Sequence, residues 1–396
     1  MSSAVRMTDD ERRRRLVRRH HLGRTAADVM DLARSLVAVH STDPSTPYLS
    51  MRARLAGFET SDLDRALCED RTLWRLHAMR GTLFLVPRED AEIFEAGATR
   101  QIAGQERRRV EKWLEAEVSR EEFARLVSDL ESQVLEVLGE PVELRTQELT
   151  EKIPGLGTQV TLGSGTWSTR TKLSSRFLFL MAMDGSIVRT RSAGSWRSSQ
   201  YHWASTTRWF GQAFDRREPG EGQVEIARRY LSAYGPVSLT DLRWWTGWTA
   251  REAKAALAKL ETVPVRFDGG DEGMILADDV DPVVPEAAGV ALLPALDSTP
   301  MGWKSRDWYL GPHSEALFDT NGNIGPSVWF DGRIIGGWAQ RPDGEVVVRL
   351  LEDVGAEVRS LAAEEANELT RWMAGATVIP RFRTPLEKAL SSGSRP

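Results

Sequence analysis

One cysteine, Cys68, in a chain of 396 residues leaves no internal disulfide framework and no thiolate-rich metal centre. Histidine is scarce as well, with six copies, so metal-dependent chemistry is disfavoured and no cofactor is expected. No run of about 18 or more apolar residues occurs, and charge stands near the N-terminus where a signal peptide needs an apolar core. The expectation is a soluble, cytoplasmic protein that makes no use of a membrane. A Walker-type phosphate loop is also missing, because Gly163-Ser164-Gly165 lacks both the lysine and the strand-to-helix setting, which disfavours nucleotide hydrolysis. Nor is there an excess of positive charge. The formal net charge of -5 argues against wholesale wrapping of nucleic acid, although local patterning can still concentrate a basic surface.

What is present is length, apolar residues and arginine in groups. With 41% hydrophobic and 28% charged residues, the chain is past the size at which one core stops growing, so several domains are expected. Three basic groups stand out. They are Arg12-Arg13-Arg14-Arg15 with Arg18 and Arg19, then Arg107-Arg108-Arg109, then Arg170, Lys172, Arg176, Arg189, Arg191 and Arg197. Each reads as a solvated helix face or as part of one concave, phosphate-neutralising surface.

Periodicity orders the chain. Helical spacing runs from Thr25 to Val39, then a polar loop His40-Ser41-Thr42-Asp43-Pro44, then helices over Pro47–Leu55 and Ser61–Cys68. The segment 73–87 reads as a hairpin with Gly81 near its turn. Three helices followed by a two-stranded wing is the winged form of the helix-turn-helix. The order returns with helices at 143–151 and 174–183 before strand 187–191. It returns again with helices at 224–233, 239–245 and 249–260 before strands 263–267 and 274–277. Ser238, after Gly235-Pro236, is a candidate N-cap. Beyond residue 286 the period changes to strands at 289–293, 324–330, 333–339 and 345–350, with Asp331-Gly332 as a hairpin turn and a helix at 362–373. The tail after Pro385 is expected to fray. The expected fold is α+β: winged helices over 1–140, 141–220 and 221–285, then a small β-barrel over 286–396.

Several stretches, Leu36 to Ser50, Arg80-Gly81-Thr82-Leu83, Ala227 to Gly247, Leu292 to Arg306 and Asp331 to Trp338, resemble the winged-helix family of AlkZ-like (azinomycin-resistance) DNA glycosylases. The resemblance spans most of the chain. It implies three tandem winged helices and a barrel around a DNA channel. It also implies a monofunctional glycosylase that removes bulky N7-alkylated purines from double-stranded DNA and unhooks crosslinks, in base excision repair or self-resistance to a genotoxin. Family members carry glutamine, an apolar residue, then glutamine or aspartate just after the helix that ends here at Val39. The matching positions are His40, Ser41 and Thr42, with Asp43 one place on, so the glutamine pair is replaced.

Cleaving an N-glycosidic bond needs a water beneath C1′ and polar or negative groups for the oxocarbenium-like sugar. A neutral His40 can take a proton from that water or orient it, and Asp43 can steady the cation. Each has a plainer reading: His40 as a histidine satisfying carbonyls at a helix end, Asp43 as an Asx-turn before Pro44, Thr42 as a cap for the next turn. The candidate catalytic residues are thus His40, Thr42 and Asp43. The candidate DNA contacts are Arg80, Gly81 and Thr82 in the wing, with Arg176, Lys304, Arg306 and Arg381; Gly81 permits positive φ or close backbone approach. Trp244, Trp245 and Trp248 read either as a stacking platform or as packing. The expected partner is double-stranded DNA carrying alkylated bases, bound by a monomer. The competing classes are a non-enzymatic winged-helix DNA-binding protein, regulatory or sequestering, and a protein-interaction scaffold.

Overall fold

The computed structural model describes residues 5–114, 119–163, 168–212, 215–286 and 289–392; Ser164 and Gly165 of the glycine-containing segment lie outside these. The chain forms two compact units, one made of Met1–Leu63 with Val224–Pro396, the other of Asp64–Gln223.

In the first unit the helix Asp9–Arg19 starts at Thr8, whose hydroxyl accepts from the Glu11 amide. Acids fill its first turn and arginines its last, in the sense the helix dipole favours. The strand Val5–Met7, which periodicity did not reveal, pairs in parallel with Thr262–Phe267, itself antiparallel to Glu272–Leu276. Before that hairpin come the helices Pro219–Tyr234, Leu239–Thr246 and Ala250–Leu257. The last two are opened by capping boxes, Ser238 with Asp241 and Thr249 with Glu252.

The strands Val290–Leu293, Ser327–Phe330, Arg333–Gln340 and Val346–Leu350 form an antiparallel sheet in that order. Among the described residues it is open, which corrects the expected barrel. The helix Gly355–Met373 packs on both outer strands, so it covers the edges that closure would have joined. Asp331 and Gly332, at φ 48° and 71°, make the tight turn between the two central strands. As far as Ser392 the tail does not fray after Pro385. It forms the helix Pro385–Ser391 and buries Leu386 and Leu390 beside the strand Arg333–Gln340.

The second unit opens with the antiparallel hairpin Leu73–His77 and Leu83–Pro87. A long helical stretch follows over 91–114, with a π-turn at Glu95–Thr99, and then the helix Arg120–Val137. Next come the short strand Leu144–Arg145, the helix Thr146–Lys152, the hairpin Gln159–Leu162 and Thr169–Lys172, and the helix Leu173–Met183. Strands Ile187–Ser192 and Tyr201–Ser205 complete a three-stranded sheet with Leu144–Arg145. Leu130, Val134, Leu149, Phe177, Met181 and Ile187 are among the side chains of its core.

Candidate active site

The loop singled out by sequence lies wholly in the first unit. It leaves the helix Val29–Ser35, which is N-capped by Asp28. Val37 then stands at φ 65°, a left-handed conformation that a β-branched residue adopts only under strain, of order 1–3 kcal/mol. Surrounding contacts hold that geometry. The Tyr234 hydroxyl donates to the Leu36 carbonyl at 3.1 Å. The Ser298 hydroxyl donates to the Ala38 carbonyl at 2.8 Å and accepts from the His40 amide at 2.9 Å, pinning both sides of residue 39.

His40, Ser41 and Asp43 are buried, at 4%, 1% and 4% exposure. Asp43 accepts three hydrogen bonds: Oδ1 from the Ser45 amide at 3.0 Å and hydroxyl at 2.7 Å, Oδ2 from the Arg381 amide at 2.9 Å. The first pair is the Asx-turn geometry, and the third ties the loop to the C-terminal segment. Thr46, opening the helix Thr46–Arg54, donates to the Ala295 carbonyl at 2.7 Å. The loop is therefore fastened at residues 36, 38, 40, 43 and 46. By contrast, Ser41 Oγ and Thr42 Oγ1 are buried with no hydrogen-bond partner among the described residues.

Beneath the loop lies a polar layer that spacing alone did not reveal. Arg54 and Asp297, both fully buried, face each other with Nη2 to Oδ1 at 2.7 Å and Nη1 to Oδ2 at 2.9 Å. Ser50 adds a donor to Asp297 at 2.6 Å, and Arg54 also donates to the Ser50 and His20 carbonyls and to the Thr299 hydroxyl. Burial pushes the Asp297 carboxyl up, but the Arg54 charge and hydrogen bond, with Ser50 and the Thr299 amide, outweigh it and hold it below the usual range. His20 is pushed down to about 3, first by burial and then by the Arg54 charge, so its ring is neutral. With Nε2 3.2 Å from the Ala233 carbonyl, that nitrogen carries the proton and Nδ1 accepts from the Thr299 hydroxyl at 2.9 Å.

The expected DNA contacts fall in both units. In the second, Arg80 is exposed at the hairpin tip, with Arg80 and Gly81 both left-handed at φ 56° and 71° and Thr82 closing the turn by donating to the Met79 carbonyl. Arg176 is engaged by Glu106 and sits over the rings of Trp113 and Phe179. In the first unit, Lys304 and Arg381 are exposed, while Arg306 lies over Trp244 and Phe318 at 4.7 Å from each. Trp245 and Trp248 are buried, so they pack rather than offer a stacking face.

The N-terminal arginine group is largely internal. Arg12 is sandwiched between Phe267 and Trp308, Arg15 is held by Glu11 and Asp279, and Arg19 by Asp279. Arg14 and Arg18 are its exposed members. Among the described residues no group of three His, Cys, Asp or Glu side chains is placed to hold a metal, and no helix is long and apolar enough to cross a membrane.

A family model described as DNA glycosylase AlkZ-like matches residues 33–372. An interstrand DNA cross-link repair glycosylase of Streptomyces sahachiroi is 24% identical over 369 residues, covering 88% of this chain and 91% of that protein. The solved structure of the Streptomyces sahachiroi DNA glycosylase AlkZ superposes with a TM-score of 0.71 at 21% identity, over 94% of this chain and 99% of that one.

Proposed function

The chain belongs to the AlkZ-like DNA glycosylase family, and from that membership we propose that it excises bulky N7-alkylated purines, interstrand crosslinks included, from double-stranded DNA. The observation that carries this reading is the immobilised loop His40–Asp43, since hydrolysis at a sugar carbon needs polar groups fixed before the charge develops. In the proposed reaction the C1′–N9 bond breaks, its electron pair leaves with the base, and the alkyl cation on the ring is neutralised as the base departs. Water adds to C1′ of the oxocarbenium sugar, and His40 takes the proton that water loses. The unpartnered hydroxyls of Ser41 and Thr42 supply donors or acceptors for that water or for the sugar. The Asp43 carboxylate braces the loop and contributes negative charge near the cation. We read the helix-helix-hairpin runs as winged helices, with Arg80, Gly81, Thr82, Lys304, Arg306 and Arg381 meeting phosphates. In a cell this activity serves base excision repair or resistance to an alkylating agent.

The test is release of free base from a duplex bearing an N7-alkylguanine, scored by alkali cleavage of the abasic strand. The parental protein is expected to release base. His40→Ala is expected to lose about 10²-fold or more in rate while keeping duplex affinity. A second reading draws on the replaced glutamine pair and the burial of His40: a DNA-binding protein that does not hydrolyse. Duplex binding without base release by the parental protein would establish it.

A further inference from the structure

Within the second unit, the helix Thr146–Lys152, the start of the helix Leu173–Met183 and the strands Ile187–Ser192 and Tyr201–Ser205 enclose a cleft of about 660 Å³. That volume is in the range of small-molecule sites, about 300–1,000 Å³. Its walls carry three cations, Arg145, Lys172 and Arg189, against one carboxylate, Glu151. Arg145 is paired with Glu148 at 3.2 Å, and Glu151 accepts from the Gln147 amide at 3.0 Å. Arg189 is different. It lies 4.6 Å over the Trp203 ring, its Nη1 is buried without a hydrogen-bond partner, and no carboxylate faces it among the described residues.

A second arginine whose charge acts on it makes the imbalance larger. Arg75, 3% exposed, donates to the Thr190 carbonyl at 2.9 Å and lies over the Tyr201 ring at 4.6 Å, again with no carboxylate partner among the described residues. Burial lowers the Arg189 pKa to about 10; Tyr201 opposes the fall and the Arg75 charge adds to it. Buried charges in folded proteins are paired, because an uncompensated one forfeits its hydration. Arg54, Arg15 and Arg176 in this chain obey that rule, each with a carboxylate. Arg189, half-buried in the cleft wall, has the Trp203 ring as its compensation, and an anion in the cleft would complete it. The first turn of the helix Leu173–Met183 lies in the same wall with no side-chain cap at Lys172; the Leu173 amide is taken by the Thr158 carbonyl, so the amides of Ser174 and Ser175, whose residues line the cleft, are the donors of the right sign.

We propose that this cleft binds a phosphoryl group, with Arg189 and Lys172 neutralising its charge and the first turn of the Leu173–Met183 helix donating to its oxygens. The group belongs either to a DNA backbone or to a free nucleotide, and the inference does not depend on base release.

The experiment compares the full chain with Arg189→Met and with Lys172→Glu, the latter at an exposed position that keeps the test available should the former not fold. One arm reads the melting temperature with inorganic phosphate or adenosine monophosphate replacing chloride at fixed ionic strength; bound phosphate should raise it in the parent, and the substitutions should weaken binding about tenfold. The other arm reads the salt dependence of binding to an undamaged duplex, where loss of one phosphate contact lowers the log-log slope by about one. A lower slope in the variants assigns the site to the DNA backbone. An unchanged slope with phosphate stabilisation lost assigns it to a free phosphorylated molecule. No phosphate effect on the parent together with unchanged slopes overturns the proposal. Base release, measured on the same proteins, keeps this result separate from the fate of the glycosylase reading.

Discussion

At the scale of single residues, Asp43 shows how a side chain proposed for chemistry also carries geometry. Its two oxygens accept from three donors on two separate segments, 45 and 381. Asp43→Asn keeps an acceptor for Ser45 but turns an NH₂ toward the Arg381 amide, setting donor against donor. We expect a loss of about 1–3 kcal/mol in unfolding free energy and a fall in base release smaller than that of His40→Ala. Denaturant unfolding and the alkali assay on one preparation check both. The polar run at 40–43 was legible as a break after a helix, but the helix expected to reach Val39 ends at Ser35 and Val39–His40 is a short strand. The anchoring of that run was not legible, because Ser298 carries no local signal and meets His40 across 258 residues. The N-terminal arginine run was hard to read for a related reason: Arg12 to Arg15 looks the same in sequence whether its charges face solvent, as Arg14 does, or face Asp9, Glu11 and Asp279, as Arg12 and Arg15 do.

At the scale of elements, the Arg54–Asp297 pair joins the last turn of the helix Thr46–Arg54 to the segment that follows the strand Val290–Leu293. Removing one member leaves the other charge buried alone, so Arg54→Met or Asp297→Leu should each cost about 3–5 kcal/mol. The double replacement should cost less than the sum, and a double-mutant cycle from chemical denaturation measures the difference. Elements with local punctuation were readable. Ser238 as a cap and Asp331-Gly332 as a turn stand where sequence put them. The open sheet and the ordered tail were not foreseeable, since both depend on where the helices Gly355–Met373 and Pro385–Ser391 dock, and docking is written in faces rather than in spacing.

At the scale of the whole molecule, acid acts on the fold through two buried histidines. His20 and His77 are both held at about 3, by burial first and then by the charges of Arg54 and Arg189 respectively. Both folded-state values lie below the ordinary 6.5. As the pH falls below that value the unfolded chain takes up protons that the folded chain refuses, so stability is full above about 6.5 and declines down to about 3. Each histidine should steepen that decline by up to about tenfold in the unfolding constant per pH unit. Replacing His77 by phenylalanine, which suits its edge-on contact with Phe179, should remove about one proton from the slope of stability against pH between 6 and 4. The slope being unchanged would mean that His77 is protonated in the fold.

The division of the chain has a consequence in time. Asp64–Gln223 is continuous and emerges from the ribosome ready to collapse, whereas Met1–Leu63 waits for Val224–Pro396. Translation proceeds at about 5–20 residues per second, so the 258 residues between His40 and Ser298 separate the birth of the loop from the arrival of its clasp by roughly 13–50 s. The segment that bears the proposed chemistry is made well before the contact that sets it.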